Sequence, residues 1–298
     1  MYAPDVPIIR RDGHRWMESF LVILDRRGCP KACPYCTAEI TDWPKGDDRL
    51  ERLPPMLDEL HEAGTRFEWL TISGNGEPSL YPVGVLRQLR ESLDAHPELF
   101  VDRRFQSSGE LFFRPDAFEI FHDYVMELTR VHVDPDEDMR ILRYRRDHTK
   151  TETYAGAQIG LNHVLLRSTF GTLLDDLERY RDEIGGRLQS LTLKILNVDT
   201  RADERTRTGR VQSEQSRWIQ EHALLGEDAD RVIERVSTRF AVKREYDPVL
   251  DRVVWDLGNE VPLILVTKRE RYGRLHVVFH EGRLIDYALR EIPINDLR

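Results

Sequence analysis

Gly28-Cys29-Pro30-Lys31-Ala32-Cys33-Pro34-Tyr35-Cys36 is the stretch on which the reading of this chain turns. It follows an apolar run, Phe20-Leu21-Val22-Ile23-Leu24, that has the length and composition of a buried strand, and its glycine and prolines mark a loop. The three cysteines are spaced C-x3-C-x2-C and are the only ones among 298 residues. An odd number argues against a closed disulfide framework, and a structural zinc site would need a fourth ligand from a distant His, Asp or Glu. Three thiolates this close in sequence can hold three irons of a cubane and leave the fourth without a protein ligand. Cys29, Cys33 and Cys36 are therefore candidate metal ligands, and an open iron is a place for a substrate or cosubstrate.

The chain around this loop has room for one α/β barrel, or for one large domain with a small appendage. Its 40% hydrophobic and 33% charged residues fit an ordinary globular protein. No run of about eighteen apolar residues is present, so no membrane span is expected. Met1-Tyr2-Ala3-Pro4-Asp5-Val6-Pro7 lacks a basic region followed by an apolar one, the mark of a secretory signal. Together with thiols that must stay reduced, this points to the cytoplasm. A net charge of -9 argues against broad nucleic-acid binding, but a local basic pocket for a small anion is compatible with it.

Residues 1–15 read as an irregular arm. Strand one runs from about Trp16 to Leu24, and a helix with Leu50, Leu53, Met56, Leu57 and Leu60 on one stripe follows, divided by Pro54-Pro55. Phe67 to Ser73 is strand two and runs directly into Gly74-Asn75-Gly76-Glu77-Pro78. Glycines at a strand's C-terminal end let backbone approach a ligand, and Glu77 adds an acceptor. Further strands are expected at Arg103–Ser108, Glu127–Val133, Leu161–Leu166 and Leu188–Val198, with helices between them. Asp134-Pro135 reads as a helix N-cap with proline at the first position. Six alternations of strand and helix argue for parallel β-α units. After Ala241 the residues become β-branched and aromatic, and His280-Glu281-Gly282-Arg283 reads as a turn, so a small antiparallel sheet is expected there.

The cysteine spacing, with Tyr35 before the last cysteine, resembles the cluster loop of the radical S-adenosylmethionine (SAM) superfamily, and Gly74-Asn75-Gly76-Glu77-Pro78 resembles its Gly-Gly-Glu-Pro element. Asn75 stands where the first of the paired glycines usually lies. The resemblance implies an α/β fold, a partial (β/α)6 TIM-like barrel over 16–240 with a small β-rich extension over 241–298. It implies a [4Fe-4S] cluster on Cys29, Cys33 and Cys36, with SAM as cosubstrate or cofactor on the open iron. Tyr35, Gly74, Asn75, Gly76 and Glu77 would lie against SAM, with Glu77 and the adjoining backbone receiving its amino group. Strand ends three to five would contribute Ser108, Asp134 and Arg167, the last as a bidentate clamp on the carboxylate. An electron donor such as flavodoxin or ferredoxin is the partner that such chemistry needs.

In a parallel barrel the ligand lies at the C-terminal strand ends. Alternation puts His132 with Asp134, and His163 with Arg167, on shared faces. Lys194 interrupts an apolar strand, where an unpaired ammonium is costly, so it is expected to face the lumen and hold a substrate anion. His132, His163 and Lys194 are the catalytic candidates. Each candidate outside the motifs has a structural alternative: a satisfied core histidine, a helix cap for Asp134, a turn residue for Ser108. The arginine-rich segment Asp199 to Arg210 reads either as a collar for an anionic substrate or as a solvated loop.

The absence of further cysteines excludes a Cys-ligated auxiliary cluster, and no separate domain is large enough for cobalamin. The expected reaction is hydrogen abstraction from a small, anionic metabolite after reductive SAM cleavage. An activase that installs a glycyl radical in a partner protein is the alternative, disfavoured if the β-rich tail caps the barrel mouth. A non-catalytic iron- or zinc-binding sensor is a third reading, and it has no need of the glycine-Glu motif.

Overall fold

The computed structural model describes residues 9–24, 28–30, 33–36, 48–130, 157–196, 198, 205, 207–247, 252–266, 276–285 and 291–292. In chain order the elements are β1 (Ile9–Arg11), β2 (His14–Leu24), α1 (Leu53–Glu62), β3 (Thr65–Gly74), α2 (Val83–Asp94), β4 (Phe100–Ser107), α3 (Pro115–Ile120), β5 (Val125–Arg130) and β6 (Ile159–Val164). They continue with α4 (Leu173–Ile184), β7 (Leu188–Lys194), α5 (Arg207–His222), α6 (Ala229–Ser237), β8 (Val242–Asp247), β9 (Arg252–Asp256), β10 (Pro262–Val266), β11 (His276–His280) and β12 (Arg283–Ile285). The result is a mixed α/β architecture built on parallel strands. It divides into two compact units, one of Met1–Cys29, Trp43–Tyr124 and Glu270–Arg298, the other of Pro30–Asp42 and Val125–Arg269.

In the first unit the strand order is β12-β11-β2-β3-β4, with β1 paired to β2. β11, β2, β3 and β4 run parallel. Burial largely alternates along β2 and β3, which bury Phe20, Val22, Leu24, Phe67, Leu70 and Ile72 and leave the residues between them mostly half-buried. Phe20, Phe67 and Phe100 pack ring on ring with centroids 5.2 to 5.8 Å apart. Helix α1 buries Leu53, Leu57 and Leu60, from the stripe that the sequence spacing predicts, and α2 buries Leu86, Leu89 and Leu93. Pro54 and Pro55 sit in the first turn of α1, after a 3-10 turn at Leu50–Arg52, where a missing N–H costs nothing.

Arg90 ties α2 to the end of α3. It donates to Asp94, to the Ile120 carbonyl and, bidentately, to Asp123 at 2.6 and 2.9 Å, with its guanidinium over the Tyr124 ring. Partial burial pushes the Asp123 carboxyl up, but the Arg90 hydrogen bonds outweigh it and hold the group below the ordinary aspartate range. A depressed carboxylate contributes stability that is present above its unfolded pKa and is lost as the pH falls through the folded one. Asp123→Asn is therefore expected to lower stability at neutral pH by under about 1 kcal/mol, because water screens the pair. It should also flatten the acid limb below about pH 4. Urea melts at pH 7 and pH 3 check this, and equal losses at both would contradict it.

In the second unit the order is β5-β6-β7-β10-β9-β8. β5, β6, β7 and β10 are parallel, and β9 and β8 are antiparallel additions. Helix α4 buries Leu173, Leu177, Tyr180 and Ile184. Trp255 on β9 is fully buried and its indole N–H reaches the Ser237 hydroxyl at 3.0 Å.

Two expectations are corrected. Part of the N-terminal arm is strand: Ile9–Arg11 pairs with His14–Trp16 around Asp12-Gly13, both at positive φ, the two-residue Asp-Gly hairpin. The strands after 241 do not form a sheet of their own. β10 pairs in parallel with β7 and carries β9 and β8, while β11 pairs in parallel with β2 and carries β12. Each set extends the sheet of its own unit because a parallel sheet edge offers unpaired N–H and C=O groups that another strand satisfies. The helix expected after Asp134 lies outside the described residues, and α5 already begins at Arg207, inside the segment read as a loop.

Candidate functional site

In the first unit the glycine motif sits at the C-terminal end of β3, beside the chain that leaves β2 toward the cysteines. The Asn75 N–H donates to the Leu24 carbonyl at 3.1 Å, and the Glu77 N–H donates to the Gly28 carbonyl at 3.3 Å. The residue immediately before Cys29 is thus hydrogen-bonded to the motif. Gly74 is required for this approach, since a Cβ there would stand 2.7 Å from the Leu24 carbonyl oxygen. Gly74→Ala is expected to destabilise the protein by about 2 kcal/mol, because the obstructing atom is backbone and cannot rotate away. A denaturant melt checks this, and a change within experimental error would contradict it.

The Glu77 carboxylate does not project into open space. The residue is 1% exposed, and its two oxygens accept five hydrogen bonds. Oε1 takes the Ser79 N–H at 3.2 Å, the Ser79 hydroxyl at 2.6 Å and the Ser107 hydroxyl at 2.8 Å. Oε2 takes both the N–H and the hydroxyl of Ser108 at 2.7 Å. Ser107 Oγ in turn accepts from the N–H groups of Gly109 and Leu111. A carboxylate offers about four lone-pair sites, so this one is filled from inside the protein. Its work is to staple the loop after β3 to the end of β4, and Ser108, placed by sequence among the SAM contacts, is one of the anchors. The Arg114 guanidinium braces the same loop through the carbonyls of Ser79 and Tyr81.

In the second unit Cys33-Pro34-Tyr35-Cys36 forms a tight turn closed by the Cys36 N–H to the Cys33 carbonyl at 3.0 Å. Helix α5 supports it. Gln215 donates its side-chain amide to the Cys36 carbonyl at 2.5 Å, and the Tyr35 ring lies 5.5 Å from Trp218. Tyr35 and Trp218 pack on a buried cluster of Val164, Leu166, Leu196, Ile219 and Ala223. Neither Gln215 nor Trp218 is among the residues that sequence reasoning selects. Helical spacing pairs them (i, i+3), but nothing in the sequence joins them to a loop about 180 residues earlier. None of the three cysteines is in a disulfide, and all are of intermediate exposure.

The remaining candidates separate. His163 is 4% exposed and its ring lies 5.7 Å from Tyr180 of α4, on the face of β6 that packs against that helix. Parallel pairing puts Lys194 on the opposite face, since it is in register with Val164, as Thr192 is with Asn162. On that face Asn162 donates to Glu127 at 2.7 Å, and Glu127 and Ser190 flank Gly160 in register from the two neighbouring strands. Arg167 is exposed, and its Nε–H donates to the Ala223 carbonyl just beyond α5 at 3.0 Å, an anchor that leaves the outer fork of the guanidinium free of that bond. His132 and Asp134 lie outside the described residues.

Neither a protein-family model nor a curated protein matches the chain. Solved structures similar to it include native anSMEcpe with bound AdoMet and Cp18Cys peptide, at 16% identity and a TM-score of 0.42 over 59% of this chain and 51% of that one. A hexahistidine-tagged form of anSMEcpe with bound AdoMet matches at 15% identity and 0.47, over 74% and 58%. Coproporphyrinogen III oxidase (HemN) from Escherichia coli, a radical SAM enzyme, matches at 12% identity and 0.34, over 84% and 63%. The chain spans about half to just under two thirds of the length of these structures. Among the described residues no helix is long and apolar enough to cross a membrane.

Proposed function

We propose that this chain is a radical SAM enzyme with a single [4Fe-4S] cluster on Cys29, Cys33 and Cys36, acting on a small anionic substrate. The observation that carries the reading is the hydrogen bond from Glu77 N–H to the carbonyl of Gly28, which sets the glycine motif against the first residue of the cysteine loop. The donor set fits the group. Three soft thiols suit iron–sulfur ligation, none of them is in a disulfide and all are partly exposed, and the Cys33–Cys36 turn presents two of them from a loop that Gln215 and Trp218 hold in place. When bound, the cluster and SAM would supply reductive sulfonium cleavage and a 5′-deoxyadenosyl radical that takes hydrogen from the substrate.

The chain's own residues have the remaining tasks. Backbone of Gly74, Asn75 and Gly76 would receive the amino group of SAM, with Glu77 and Ser108 holding that backbone rigid rather than touching the ligand. Tyr35 would wall the cluster loop, and Arg167 would offer its outer guanidinium nitrogens to a carboxylate. The polar face of Glu127, Asn162, Thr192 and Lys194 would orient the substrate, with Lys194 as its cationic member. His163 is not carried into this role, because its ring packs against α4. A preference for a small molecule over a protein substrate has no support from a β-rich cap, because the tail strands extend the sheets; it rests on this polar face instead. An electron donor of the flavodoxin or ferredoxin class and a cytoplasmic location belong to the same proposal. Anaerobic reconstitution followed by an assay for 5′-deoxyadenosine with SAM and dithionite tests it. Product formation is expected, and its absence at full iron loading would overturn the reading.

A further inference from the structure

A second group of ligand-type side chains lies at the other end of the first unit's strands. His61 is in the last turn of α1, and His96 and Glu98 flank the start of the 3-10 turn Pro97–Leu99. These segments lead into the first residues of β3 and β4, whereas the glycine motif follows the last residues of β3, ten residues along the strand. The extended strand therefore separates the two places by roughly 30 Å.

One ligand atom from each of His61, His96 and Glu98 lies within 4.8 Å of the others. Nδ1 of His61 is 2.6 Å from Glu98 Oε1, and Nδ1 of His96 is 3.5 Å from the same oxygen. The two imidazoles stack with centroids 5.0 Å apart. The other ring nitrogen of His96, Nε2, is 2.6 Å from Asp58 Oδ1. In a neutral ring whose Nε2–H faces the Asp58 carboxylate, the lone pair sits on Nδ1. The lone pair then points toward a carboxylate oxygen, an arrangement that a cation between them relieves. A histidine whose far nitrogen donates to a carboxylate is also the usual arrangement behind a bound metal.

We propose that His61, His96 and Glu98 form a site for a divalent cation of the zinc class, with Asp58 orienting His96 from behind. Two imidazoles and a carboxylate match zinc, and water from the exposed side would complete the coordination. The site would clamp α1 to the turn that enters β4, so its role is to stabilise this unit and not to take part in chemistry at the cysteine loop. The inference is independent of the radical SAM reading.

Equilibrium dialysis of cluster-loaded protein against zinc chloride at micromolar free zinc, with metal analysis, tests it. Uptake of one zinc per chain is expected, accompanied by a rise in melting temperature. His96→Gln and Glu98→Gln should abolish the uptake, and Asp58→Asn, at an exposed carboxylate, should weaken it about tenfold. The same count in a protein with Cys29, Cys33 and Cys36 all replaced by serine should be unchanged, which separates this site from zinc on the thiolates. No uptake in that protein, or undiminished uptake in His96→Gln and Glu98→Gln, would overturn the proposal.

Discussion

Replacing Cys36 with serine is expected to remove the iron–sulfur cluster and to reduce 5′-deoxyadenosine formation by about 100-fold or more. Three thiolates are the whole protein ligand set available, because the chain contains three cysteines and no other. A hydroxyl of nearly the same size keeps the turn but does not replace a soft, anionic sulfur. Cys36 donates its N–H to Cys33 and accepts from Gln215 through backbone atoms alone, so the substitution leaves both hydrogen bonds in place. The loss should thus appear in iron content and visible absorption with the melting temperature of the cluster-free protein unchanged. Cys29→Ser and Cys33→Ser should behave alike. Full iron retention in any one of the three would mean that another side chain completes the site.

Glu77→Ala is expected to cost about 3–5 kcal/mol of stability, which for a chain of this size lowers the melting temperature by roughly 10 °C. Two of the five donors that Glu77 satisfies, the N–H groups of Ser79 and Ser108, are backbone and cannot turn away when the carboxylate is removed. The three hydroxyls can rotate to other acceptors, so the sum is less than five full desolvation penalties. Glu77→Gln keeps the shape but presents an N–H2 group to donors at one end, and should fall between wild type and Ala. Melts of the cluster-free proteins make the measurement. An unchanged melting temperature together with weaker SAM binding would show that Glu77 acts on the ligand directly, against the staple described here.

This network marks the limit of what is legible in sequence. The Gly-Asn-Gly-Glu string follows a strand, β3, as expected, and the apolar stripe of α1 gives a helix that buries Leu53, Leu57 and Leu60 from among the expected residues. The role of Glu77 is not legible, because whether a carboxylate points at a ligand or back into the protein depends on Ser107 and Ser108, about thirty residues later. His163 shows the same limit at the scale of one strand. Alternation says which residues share a face, but not which face the helix covers, and Tyr180 of α4 decides that. The tail departs from expectation for a related reason. Its strand-forming residues and the Glu281-Gly282 turn are readable, yet the partner of a strand is set by which sheet edge it meets, and β10 and β11 meet β7 and β2. Asp12-Gly13 is itself a hairpin signal, masked in the sequence by the prolines and charges around it.

The account depends most on an iron that the protein leaves open to SAM. Electron paramagnetic resonance of the dithionite-reduced, reconstituted protein, recorded with and without SAM, tests this directly. A signal of a reduced [4Fe-4S] cluster that changes shape when SAM is added is the predicted result, since a ligand on the fourth iron alters the cluster's electronic environment. A cluster signal identical in both samples under saturating SAM would contradict it.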